Sequence, residues 1–138
     1  MNISLLEQKY EFQYEPFFKK LWEKGMIDWY KGWENTWKPN CNWHTEVYPT
    51  IKDKPPVLLH TGVDFEMLSP KEMLNYEFID YWDIDKHKFI PFGQSGAGDL
   101  YAFYKNKTNG NETPVVMVWH DENRTEILSK NFEDFIFR

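Results

Sequence analysis

The sequence contains one cysteine, Cys41, so no intrachain disulfide can form. This excludes the disulfide-stapled secreted scaffolds and points to a reducing compartment, the cytoplasm. Cys41 and His44 have the spacing of two zinc ligands, but a closed structural site takes four and no second pair lies nearby. No metal and no cofactor are expected. Long apolar runs are also missing. "PVVMVW" is among the longest, far short of the roughly 20 residues that cross a bilayer. The opening "MNISLLEQKYEFQYE" is too acidic and too briefly apolar for a signal peptide. Positive charge is in deficit. Sixteen Lys and Arg face 22 Asp and Glu, a net charge of -6. General nucleic-acid binding needs basic surface to neutralise phosphates and is disfavoured. The same charge suits a basic protein partner, because complementary fields speed encounter.

Aromatic residues are plentiful, at 19% of 138, enough to fill one core. No repeat, low-complexity tract or linker divides the chain, so residues 1–138 read as one domain. Phe17, Phe18, Leu21 and Trp22 fall at helical spacings, with Pro16 suited to a first turn and Gly25 to a stop. Trp29, Trp33 and Trp37 are spaced by four, as on one helix face, and Pro39 ends that pattern. A core or lid cluster explains them better than a recognition surface. "TEVY" and "PPVLLH" read as strands, and "VDFEML" alternates apolar with acidic residues. In "SPKE", Ser69 caps a helix, Pro70 takes its first position and Glu72 completes a capping box; the helix is expected to run to about Phe78. "KFIPF", "DLYAFYK", "VVMVW" and "RTEIL" read as strands. Asn109-Gly110 signals a hairpin through tolerance of positive φ at both positions. Ser129 is expected to cap a last helix whose Phe132, Phe135 and Ile136 share a face. The fold class is α+β: a mostly antiparallel sheet with helices at the N-terminus, in the middle and at the C-terminus.

The chemistry-bearing candidate is "FIPFGQSGAGDLYAFY". A P-loop needs Lys and Ser/Thr after its last glycine and then a helix; here Asp99 and a strand follow Gly98. A dinucleotide loop fails because the sixth position from Gly96 is Tyr101. Gly93-Gln94-Ser95-Gly96-Ala97 approaches an esterase elbow, but Ala97 replaces the second glycine and no helix follows Ser95. The better reading is structural. Gly93, Gly96 and Gly98 supply unusual backbone angles or close approach, and Asp99 bonds local backbone amides. His120-Asp121-Glu122 and His60 with Asp64 are acid–base candidates that solvated strand ends explain as well. No catalytic residue is assigned.

"PPVLLHTGVDFEMLSPKEML", "FIPFGQSGAGDLYAFY", "PVVMVWHDE" and "SKNFEDFIF", in this order, resemble the SUKH superfamily, the Smi/Knr-like domain of many bacterial immunity proteins. The elements carrying the resemblance are Val57 to Leu59, Asp64-Phe65-Glu66, Ser69-Pro70, Phe89 to Asp99, and Phe132 with Phe135. It covers roughly the last 85 residues; the tryptophan-rich segment is outside it. The resemblance implies an α+β fold without catalytic residues, and a cytoplasmic immunity protein that binds and neutralises a cognate toxin. It donates no contact residues. A basic, nuclease-type toxin matches the -6 charge. The candidate contact is then "DYWDID", with Asp80, Asp83 and Asp85 for steering and Tyr81 and Trp82 as anchors. Competing readings are a regulatory or scaffold module that binds a host protein, and a small hydrolase using Ser95.

Overall fold

The computed structural model describes residues 2–23, 66–78, 85–122 and 124–137. The chain opens with α1 (Ser4–Tyr10), where the Asn2 Oδ1 atom accepts from the Ser4 amide at 2.9 Å. α1 ends at Glu11, which is left-handed with φ 49°. Pro16 opens α2 (Pro16–Glu23), which turns Phe18 and Leu21 into the core. The sequence reading anticipates α2 and misses α1, a seven-residue helix with one buried residue, Leu6. The tryptophan cluster, Cys41, His44 and the strands expected at "TEVY" and "PPVLLH" lie outside the described residues.

The described strands form an antiparallel meander in the order β1 (Glu66–Met67), β2 (Phe89–Gln94), β3 (Leu100–Tyr104), β4 (Val115–Val118) and β5 (Thr125–Ser129). The fold is α+β. Between β1 and β2 lies α3 (Pro70–Leu74). Its N-terminus is the expected box: the Ser69 hydroxyl accepts from the Glu72 amide, and Glu72 accepts from the Ser69 amide. α3 stops at Leu74 rather than near Phe78, with Asn75 as C-cap. The Tyr76 and Phe78 rings meet edge-on beyond it, 5.0 Å apart.

Side-chain alternation sorts the strands onto two buried faces. Ile90, Phe92, Tyr101, Phe103 and Val115 join Leu6, Phe18 and Leu21 from the N-terminal helices, and Phe132 and Phe135 from α4 (Phe132–Phe137). Phe89, Leu100, Ala102, Val116 and Val118 share the other face with Tyr76, Phe78 and Tyr104. Phe103 is the hub of the first face. Its ring lies within 6 Å, centroid to centroid, of Phe12, Tyr14, Phe18, Phe92 and Phe132.

Two turns differ from expectation. The hairpin after β3 centres on Gly110-Asn111: Asn109 and Glu112 exchange both backbone bonds, and Gly110 alone carries positive φ, 64°. That is glycine at the first central position of a two-residue loop. The cap of α4 is Asn131, not Ser129. Asn131 Oδ1 accepts from the Asp134 amide at 2.7 Å, while the Ser129 hydroxyl donates to the Asn131 carbonyl. Asn131 wins because its side-chain oxygen sits one residue ahead of the first helical position. The Phe132 amide is taken by Glu15 Oε1 at 2.6 Å, which ties the start of α2 to the start of α4. Phe132 and Phe135 are fully buried.

Candidate functional site

The glycine-rich stretch forms the β2–β3 hairpin loop. The Ser95 amide donates to the Asp99 carbonyl at 2.9 Å and the Gly98 amide to the Ser95 carbonyl at 3.0 Å. Gly96, Ala97 and Gly98 are left between. This is a three-residue loop whose last member takes positive φ, 94° at Gly98. The other two glycines do not share that backbone angle. Gly93 is a strand residue, opposite Tyr101 and Met67 beside a register shift in β2. Among the described glycines positive φ is confined to Gly98 and Gly110, so Gly96 does not take it.

Asp99 holds the loop to the far end of β4. Its own amide donates to the Ser95 hydroxyl at 3.0 Å. Its carboxylate accepts from that hydroxyl at 3.4 Å, from the His120 amide at 3.1 Å, and from the His120 ring at 2.7 Å through Nδ1. The expected local backbone amides are therefore replaced by a hydroxyl and by an amide 21 residues away. The Asp99 bond raises the His120 ring above its usual value, burial opposes it, and Asp121 and Asp99 add to it. For Asp99, burial pushes the carboxyl up, but the His120 and Ser95 hydrogen bonds outweigh it and leave the group below its ordinary range.

This geometry favours the structural reading of Ser95. Serine activation needs the hydroxyl on an imidazole, with the carboxylate behind the ring. Here the carboxylate sits between Ser95 and His120, so the order is serine–aspartate–histidine. The Ser95 hydroxyl serves as a turn bond. We expect Ser95→Ala to shift the melting temperature little. Gly98→Val should lower it clearly, because valine resists positive φ at a cost of about 1–3 kcal/mol. Equal melting curves for the two variants would contradict this assignment. Asp99, His120 and Asp121 also place an imidazole and two carboxylates within 4.8 Å of one another. Asp121 is exposed, and the His120 Nδ1 atom is already committed to Asp99.

Of the acidic–aromatic stretch, Asp80, Tyr81, Trp82 and Asp83 lie outside the described residues, as do His60 and Asp64. Asp85 is exposed and has a local task. Its Oδ1 atom accepts from the His87 amide at 3.1 Å and its carbonyl from Lys88, capping the 3-10 turn Lys86–Lys88. Further on, the Arg124 guanidinium lies 4.3 Å from the Trp119 ring centroid, across the β4–β5 connection. No helix among the described residues is long and apolar enough to cross a membrane.

Comparison with curated proteins and with solved structures gave no match. Comparison with family models did. The capped α3, the Asp99-bound hairpin, the meander and the closing Phe132–Phe135 helix fall within a match to the SMI1 / KNR4 family (SUKH-1) over residues 2–138, and the chain belongs to that family.

Proposed function

We propose that this chain is a non-catalytic binding protein, one Smi/Knr-like domain over residues 1–138, that neutralises a cognate bacterial toxin in the cytoplasm. The observation that carries the reading is the family match over residues 2–138, since family members include immunity proteins that bind toxins. Two further facts support it. The chain carries a net charge of -6, which favours encounter with a basic, nuclease-type toxin and not with nucleic acid. Ser95 and Asp99 of the glycine loop and His120 beyond β4 are linked in the order serine–aspartate–histidine, which supports a structural role over nucleophilic attack.

The contact surface in this reading is Asp80, Tyr81, Trp82, Asp83 and Asp85. The test is a search of the neighbouring genes for a toxin and co-expression of the chain with the candidate found there. The wild-type chain and Ser95→Ala should restore growth. Replacing Asp80, Asp83 and Asp85 by lysine moves the net charge from -6 to zero and should abolish protection. Because Asp85 also caps a turn, the double variant Asp80→Lys, Asp83→Lys separates lost contact from lost structure. A triple variant that folds and protects fully would remove this surface. Loss of protection with Ser95→Ala in a folded protein would favour the hydrolase reading.

A further inference from the structure

A cavity of about 590 Å³ opens where the end of α1, the chain after α3 and the start of β2 meet. It has the size of a small-molecule site. Among the described residues its walls carry the rings of Tyr10, Tyr76 and Phe78 and the cationic or donor side chains of Lys9, Lys105 and His87, with Glu11 as the one carboxylate of that described set. In a chain of net charge -6 this is a local inversion of sign.

Among the described residues neither ammonium group is paired with a carboxylate. Lys9 Nζ donates to the Leu74 carbonyl, and Lys105 Nζ to the Tyr10 carbonyl at 2.9 Å. Each ammonium has three donors, and a single carbonyl bond leaves two for a ligand. A main-chain carbonyl fixes the position of a lysine but does not cancel its charge. Both anchors are long-range, 65 and 95 residues apart in sequence, so the fold itself brings the charges together. The Tyr10 hydroxyl is committed to the Met73 carbonyl at 2.5 Å, which fixes that ring as a wall. Burial pushes the Tyr76 phenol up to about 12, so it remains a neutral donor at physiological pH. Among the described residues the site is thus rich in donors, poor in acceptors and walled by flat rings.

We infer that this cavity binds a small aromatic anion, a carboxylate or phosphate carried on a planar ring. Lys9 and Lys105 hold the anionic group, while Tyr76 and Phe78 contact the ring. This site is independent of the toxin-binding reading and uses none of its proposed contact residues.

The test is calorimetric titration of the intact protein with four probes: adenosine 5′-monophosphate, indole-3-acetate, adenosine and inorganic phosphate. At least one of the two ring-bearing anions should bind in the submillimolar range. Neutral adenosine and bare phosphate should bind at least tenfold more weakly, since each offers half of the required chemistry. Lys105→Gln keeps a donor side chain near the Tyr10 carbonyl, one bond shorter, and removes the charge; it should weaken the anion by tenfold or more with little change in melting temperature. Phe78→Ala should weaken it through the ring. No binding of either ring-bearing anion at 5 mM would overturn the inference. So would equal affinity for adenosine and its monophosphate, or unchanged affinity in a folded Lys105→Gln.

Discussion

Phe103→Ala is expected to remove a large part of the protein's stability and to lower its urea midpoint sharply. Removing a buried phenylalanine costs about 3–5 kcal/mol, from lost transfer energy and from the cavity left behind. Domains of this size are stable by only about 5–15 kcal/mol in total. Phe103 belongs at the upper end of the first range. It is 1% exposed and meets five other rings, two from the segment between α1 and α2 and one each from α2, β2 and α4. No single neighbour can collapse into the space, because Phe18 and Phe132 are themselves fixed by α2 and α4. Phe103→Leu should retain most of the stability. Urea unfolding followed by circular dichroism checks both. A Phe103→Ala midpoint close to that of the wild type would show that the ring cluster is not the centre of the core.

Glu15→Gln is expected to stabilise the protein above neutral pH and to do little near pH 4.5. The Glu15 carboxyl is raised from 4.5 to about 7. Burial is the main cause, the amides of Phe132 and Glu133 oppose it, and the charges of Glu133 and Glu112 add to it. A raised folded-state value means that folding favours the protonated form. The stabilisation is therefore complete below about pH 4.5 and is lost as pH rises through about 7. One unit is worth about 1.4 kcal/mol, so the ionised group costs up to roughly 3 kcal/mol at pH 8. Glutamine keeps the oxygen that accepts from the Phe132 amide and carries no charge to bury. The difference in stability between variant and wild type should grow between pH 5 and 7.5 and then level off. A difference that is flat with pH would contradict the raised value.

What the sequence disclosed depended on how far apart the interacting residues lie. Ser69 and Glu72 cap α3 across three residues, and Pro16 opens α2, so both were readable from local spacing. The strands around the glycine loop were readable because both faces are buried and the aromatic runs are continuous. The last cap was assigned to Ser129 because serine is a common cap, but Asn131 sits nearer the helix and takes the role. The helix expected to run from Ser69 to about Phe78 ends at Leu74, because Asn75 caps it and the Tyr76 and Phe78 rings pair with each other beyond it.

The site-level contacts were least legible. Glu15 reaches Phe132 across 117 residues, Lys105 reaches Tyr10 across 95, and Asp99 reaches His120 across 21. Nothing in local composition marks these pairs, since topology alone makes them neighbours. The aspartate of the glycine loop was visible as a turn residue, but its grip on His120 was not. The ring-lined cavity had no sequence signal at all, because its two lysines are 96 positions apart and neither lies in a motif.

The central claim, that the chain acts by binding a toxin rather than by chemistry of its own, is tested most directly by calorimetry. The purified chain is titrated with a candidate cognate toxin domain, sought in the neighbouring genes, and toxin activity is assayed on the same mixture. The account predicts a saturable complex of fixed stoichiometry, with toxin activity falling in proportion to complex formed and with binding that weakens as salt rises. Absence of heat and of inhibition at micromolar concentrations of both proteins would contradict it.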